Sequence, residues 1–115
     1  IYAEMPAVIH ELAHRYAGGR WIAVGGGGYD VWRVVPRAWS LVWLEMTGHP
    51  AAARARRGGD GGRLPKDWIK AWQDESPVAL PETWLDDAES WTPMPRREII
   101  TETNRRTKEL AVQFL

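Results

Sequence analysis

The chain has 115 residues, enough for one domain with a core of its own. Lysine plus arginine number 15 and aspartate plus glutamate number 15, so no net positive field exists to hold a phosphate backbone, and general nucleic-acid affinity is excluded. There is no cysteine, which rules out disulfides and thiolate metal sites and matches a reducing compartment; the expected location is the cytoplasm. Arg33, Arg37 and Glu45 interrupt the apolar stretches well before the about 18 residues that a membrane span needs, so no membrane partner is expected. Eight tryptophans predict large rings placed in a core or at a subunit surface.

In residues 4–16 the apolar side chains Met5, Val8, Ile9, Leu12 and Tyr16 recur at the spacing of one helix face. Gly18 and Gly19 supply the stop, and Arg15 complements the negative end of the helix dipole. The chain starts at Ile1, beside this amphipathic pattern, so the sequence is expected to begin inside a structural element with more chain before it. Trp21-Ile22-Ala23-Val24 then forms a short β-forming run, apolar on both faces, which predicts an interior strand of a parallel sheet.

Four glycines at 25–28 end the strand, and helical spacing resumes over residues 31–47. Pro36 fits only in a first turn, which sets the start of that helix close by. Val35, Trp39, Val42, Trp43 and Met46 lie on one side and Val34 and Leu41 on another, so burial from more than one direction is expected. Residues 48–63 are rich in Gly, Ala and Arg without periodicity and read as a flexible surface insertion. Leu64 to Trp72, with Pro65 in a first turn and Trp68 and Trp72 four apart, predicts a short helix. Pro77, Pro81, Pro93 and Pro95 predict surface loops with at most one turn near Trp84. A terminal helix over residues 98–114 places Ile99, Thr103, Leu110 and Phe114 near one face.

The order helix, strand, helix is that of a parallel-sheet layer, yet only one strand is legible. A lone strand carries unpaired backbone groups along both edges, and neighbours must supply their partners. Those neighbours are expected from a longer chain or from another copy.

Three local patterns bear on chemistry. His10-Glu11-Leu12-Ala13-His14 matches H-E-x-x-H, in which two helical imidazoles one turn apart grip zinc and the glutamate activates its water. The extended form of that motif needs glycine at 17 and histidine at 20, where Ala17 and Arg20 stand, and Glu45 is the candidate third ligand. A zinc metallopeptidase using His10, Glu11 and His14 is therefore one alternative, against a surface helix whose histidines fall four apart. His49 reads as a loop residue.

The glycine run stands at the carboxyl end of a parallel-type strand, where α/β proteins place their sites. Asp30 occupies the position where a dinucleotide fingerprint needs its last glycine, and no G-K-[ST] follows, so nucleotide binding is not indicated. Tyr29 ends the run, and a phenolic hydroxyl can donate a hydrogen bond to an oxygen on which negative charge develops. The third pattern is the tryptophan content, which leaves a noncatalytic self-association module as a second alternative.

From Trp21-Ile22-Ala23-Val24 through Gly25-Gly26-Gly27-Gly28-Tyr29-Asp30 to Val31-Trp32-Arg33-Val34-Val35-Pro36-Arg37-Ala38-Trp39, the chain resembles the C-terminal active-site segment of the histone-deacetylase-like enzymes in the arginase/deacetylase superfamily, most closely their bacterial acetoin-utilisation branch. Arg37 and Trp39 stand one residue farther from Tyr29 than in the commonest eukaryotic pattern, which favours the bacterial branch. The resemblance implies an α/β fold, with residues 1–115 the partial C-terminal portion of a three-layer α/β/α parallel-sheet domain. It implies a zinc-dependent deacetylase acting on acetyl-lysine in a protein or on a small acetyl amide. Tyr29 would be the catalytic oxyanion donor, Gly26, Gly27 and Gly28 would line the acyl-lysine channel, and Arg37 and Trp39 would give structural support. The zinc ligands, two aspartates and a histidine, and the paired catalytic histidines would lie outside this chain, so no metal ligand is expected here and the isolated chain is expected to be inactive.

Overall fold

A computed structural model describes residues 1–58, 62–87 and 95–113. Among these described residues five helices follow one another: α1 (Glu4–Ala17), α2 (Val34–Met46), α3 (Pro50–Arg57), α4 (Lys66–Trp72) and α5 (Arg97–Val112). Helix α1 ends where its glycines predict. Gly18 takes the left-handed conformation at φ 60°, and the Gly19 N–H reaches back to the Ala13 carbonyl at 2.9 Å, closing a Schellman-type turn. Helix α2 carries Pro36 in its first turn, where a missing N–H costs nothing.

The core is small and sits where α2 meets α3. Leu41 and Leu44 of α2 are buried with Ala52 and Ala55 of α3, and Ala3 joins them from the start of the chain. Ala52 and Ala55 lie three apart, so the buried face of α3 is built from methyl groups and the two backbones can approach closely. Trp84 and Leu85 pack over this cluster. An ion pair between Arg56 and Glu45 ties the two helices at the edge.

Helix α3 corrects the expectation of a structureless insertion over residues 48–63. Alanine is the strongest helix former, and Pro50 at the first helical position and His49 as the cap mark a clear start; the His49 ring accepts the Ala51 N–H at 3.1 Å. The absent apolar periodicity hid the helix because its buried face is built from alanine. Residues 59–61 of that insertion lie outside the described residues, as do Pro93 and Phe114.

The interior strand expected at residues 21–24 does not form. Among the described residues the one β-type pairing is an antiparallel bridge between Arg63 and Thr83, supported by hydrogen bonds from Leu64 N–H to the Glu82 carbonyl and from Trp84 N–H to the Gly62 carbonyl, each 2.8 Å. The described residues are thus mostly helical, and the expected parallel-sheet layer is not formed among them. The reason is one of partners: the segments beside residues 21–24 are α1 and α2, whose backbone groups are already spent within their own helices. The side chains still alternate, with Trp21 and Ala23 half-buried against the helices and Ile22 and Val24 exposed at 87% and 84%.

Three further burial expectations fail in the same way. The α1 stripe of Met5, Val8, Ile9, Leu12 and Tyr16 is exposed, and Pro6 is the buried residue of that helix. Helix α5 buries no residue, and Ile99 and Leu110 are each 58% exposed; the helix is held by its own Glu102, Arg105, Arg106 and Glu109 network. Helix α2 is buried on one side only, with Trp43 59% exposed.

The whole chain is correspondingly open. Its accessible surface is 9410 Å², against roughly 6,400 Å² for a folded monomer of 13.1 kDa. Its radius of gyration is 16.8 Å, against about 13 Å for a compact domain of this length. No described helix is long and apolar enough to cross a membrane.

Candidate active-site segment

The glycine run and Tyr29 form an uncoiled stretch between the extended residues 21–24 and α2, and the first turns of α2 seat it. Gly25 lies against the Trp39 indole, so closely that a Cβ there would stand 3.1 Å from the ring's Cζ2. Gly28 has φ +88°, and a Cβ would meet Val35 Cγ2 at 3.0 Å. Gly26 has open space around it. The four glycines therefore differ: Gly25 and Gly28 stand in tight contact with α2 side chains, Gly27 and Gly28 take positive φ, and Gly26 meets no local packing demand. Gly28→Ala is expected to cost about 1–2 kcal/mol through strained backbone and the Val35 contact, and Gly26→Ala close to nothing. Paired thermal unfolding curves check this, and equal shifts would refute it.

Just past the loop, Asp30 organises the entry to α2. Its carboxylate accepts the Arg33 N–H at 2.9 Å and pairs with the Arg33 guanidinium at 2.7 Å, and its carbonyl accepts the Val35 N–H at 3.0 Å. The Arg33 hydrogen bond holds the Asp30 carboxyl below its ordinary value. Asp30 was legible in the sequence only as the residue that breaks a dinucleotide fingerprint. The signal for its capping role is an acid three residues before an arginine at a helix entrance.

Tyr29 itself is 93% exposed, so none of the described residues encloses its ring. Trp39 supports the loop from one side of α2 and is 43% exposed. Arg37 lies on another side of that helix and is buried at 8%. Its guanidinium donates to the Arg33 carbonyl at 2.7 Å, the Thr83 carbonyl at 3.2 Å, the Trp84 carbonyl at 3.4 Å and the Asp86 carboxylate at 2.8 Å. One side chain thus fastens α2 to the loop of residues 83–86. The Asp86 side chain is exposed, at 60%.

Beside the loop an open apolar groove runs between α1, residues 21–24 and α2, lined by Met5, Ile9, Trp21, Val24, Trp39 and Val42 among others. The H-E-x-x-H histidines lie elsewhere on α1, turned toward the end of α2. His10 Nδ1 stands 2.5 Å from the Glu45 carbonyl oxygen, and the His10 and His14 Nε2 atoms are 3.0 Å apart. The Glu45 carboxylate pairs with Arg56, and no group of three or more His, Cys, Asp or Glu placed to hold a metal occurs among the described residues. His49, expected as a loop residue, caps α3.

No family model and no solved structure matches the chain. Curated relatives do. The chain is 51% identical over 112 residues to acetoin utilization protein AcuC of Bacillus subtilis (strain 168), an alignment covering 97% of this chain and 27% of that protein. It is 40% identical over 111 residues to the AcuC of Staphylococcus xylosus, covering 96% of this chain and 27% of the relative. With the AcuC of Staphylococcus aureus (strain Mu50) it shares 40% identity over 103 residues, or 90% of this chain and 24% of the relative. Matches at this identity across nearly all of the sequence mean that the chain is similar along its length to the acetoin utilization protein AcuC, and it spans 27% of the length of its Bacillus relative.

Proposed function

We propose that the chain is the C-terminal part of a zinc-dependent deacetylase that hydrolyses acetyl-lysine or a similar acetyl amide, and that it contributes Tyr29 and the glycine channel to that enzyme's site. The observation that carries this reading is the glycine-to-tyrosine loop seated on Val35 and Trp39, within a sequence matched along 97% of its length by an acetoin utilization protein. Hydrolysis forms a bond from water oxygen to the acetyl carbon and breaks the bond to the amine nitrogen, which leaves with a proton. Between those events the carbonyl oxygen carries negative charge, and the Tyr29 hydroxyl donates a hydrogen bond to it there. Gly26, Gly27 and Gly28 carry no side chains and so leave a narrow path for an acyl-lysine stem.

The described residues do not make a zinc site: they offer no cluster of three or more ligating side chains, whereas catalytic zinc takes three protein ligands and an open position. The ligands belong to the remainder of the parent domain. That remainder also covers the apolar groove beside Trp21 and Val24 and pairs with residues 21–24, turning them into a strand; the roughly 3,000 Å² by which the surface exceeds that of a compact monomer supports such a cover. Exposed Trp43 and Trp72 are accounted for without a self-association role if part of this excess is buried in the parent.

The test compares two proteins on an acetyl-lysine peptide and on small acetyl amides. The full-length protein carrying this segment is expected to release acetate, and the 115-residue chain alone to release none. A full-length protein that hydrolyses none of these amides would overturn the assignment.

A further inference from the structure

We propose that His10 and His14 form a two-imidazole clamp for a borderline divalent transition ion, with Cu2+ the preferred occupant. The two rings are tilted only 24° and their centroids are 4.8 Å apart, while their Nε2 atoms are 3.0 Å apart. The rings therefore converge on their nitrogen edges. Two nitrogens each about 2.0–2.1 Å from one ion and about 90° apart around it stand about 2.9 Å from each other, so the observed separation already fits adjacent positions on a tetragonal ion.

His10 is oriented for this task. A carbonyl oxygen can only accept, so the His10 Nδ1 carries the proton that meets the Glu45 carbonyl, and its Nε2 lone pair faces His14. A ring nitrogen hydrogen-bonded to a backbone carbonyl behind a free partner nitrogen is the arrangement that fixes metal-binding histidines. The Trp21 indole stands edge-on to the His10 ring at 6.1 Å and limits its rotation. His14 is placed by the turn that ends α1: a Cβ at Gly19 would lie 3.2 Å from both His14 Cε1 and Nδ1, and glycine leaves that edge clear. Without metal, the His14 Nε2–H donates to His10 Nε2. On binding, that proton moves to His14 Nδ1, on the edge Gly19 leaves clear, and both Nε2 lone pairs meet the ion. Imidazole donors and a cis geometry favour Cu2+ over Ni2+ and Zn2+ by the usual order of divalent affinities.

The experiment uses the 115-residue chain freed of metal with a chelator and titrated with Cu2+ alone, read by electron paramagnetic resonance and by its nitrogen modulation. One Cu2+ per chain bound by two imidazoles is expected. His14→Gln should leave one imidazole and weaken binding by about 100-fold, as loss of one arm of a chelate does, while His49→Gln should change neither. A wild-type signal from a single imidazole, or two imidazoles persisting in His14→Gln, overturns the clamp. Because the nitrogen count is read on the wild-type chain, a variant that loses helix content leaves the decision intact.

Discussion

Replacing Tyr29 by Phe in the full-length protein is expected to lower turnover of an acetyl amide by about 10²–10³-fold, the effect of removing one donor from an oxyanion site. The substitution deletes a single oxygen. Tyr29 is 93% exposed in this chain, so the same substitution in the 115-residue chain should leave its helix content unchanged. The loss should appear in kcat with KM nearly constant, because the hydrogen bond strengthens only as charge builds on the carbonyl oxygen. Bound zinc, measured by elemental analysis, should stay the same in both proteins. An unchanged kcat would remove Tyr29 from the chemistry, and a loss accompanied by loss of zinc would give it a structural role instead.

Arg37→Ala is expected to destabilise the fold by about 2–3 kcal/mol, the cost of removing a buried charged donor shared by several acceptors. The Arg33, Thr83 and Trp84 carbonyls lose their common partner, and the loop of residues 83–86 loses its tie to α2. Trp84 and Leu85 of that loop cover the core around Leu41, so the damage spreads from a polar contact to an apolar one. Asp86 contributes less. It is 60% exposed, and Asp86→Ala should cost under about 1 kcal/mol because water screens the pair. Arg37→Lys should restore only part of the loss, since a point charge cannot reach several acceptors as a planar guanidinium does. Denaturant midpoints of the three variants, followed by tryptophan fluorescence, check the order; Asp86→Ala matching Arg37→Ala would show that the ion pair, and not the carbonyl set, holds the loop.

The local grammar of the chain was legible wherever a single residue type has a single structural meaning. Gly18 ends α1, Pro36 opens α2, and Pro65 stands at the entrance to α4, each because backbone geometry leaves the position little choice. The resemblance carried by the glycine run and by Arg37 and Trp39 was legible too, and the AcuC relatives support it. Helix α3 was missed because an alanine face gives no apolar contrast. The strand expected at residues 21–24 does not form among the described residues for a different reason: β-forming residues state a preference, but a strand exists only with a partner ladder.

Side-chain sequence thus determined helix ends, the special backbone of the glycine loop and the resemblance to acetoin utilization proteins, since these depend on residues close together in the sequence. Only the tertiary structure decided that Arg37 gathers carbonyls from residues 83 and 84, that Leu41 meets Ala55, and that His10 and His14 turn their nitrogens toward each other beside Glu45. Those outcomes depend on which surfaces find one another across long stretches of chain, and no local pattern encodes that choice.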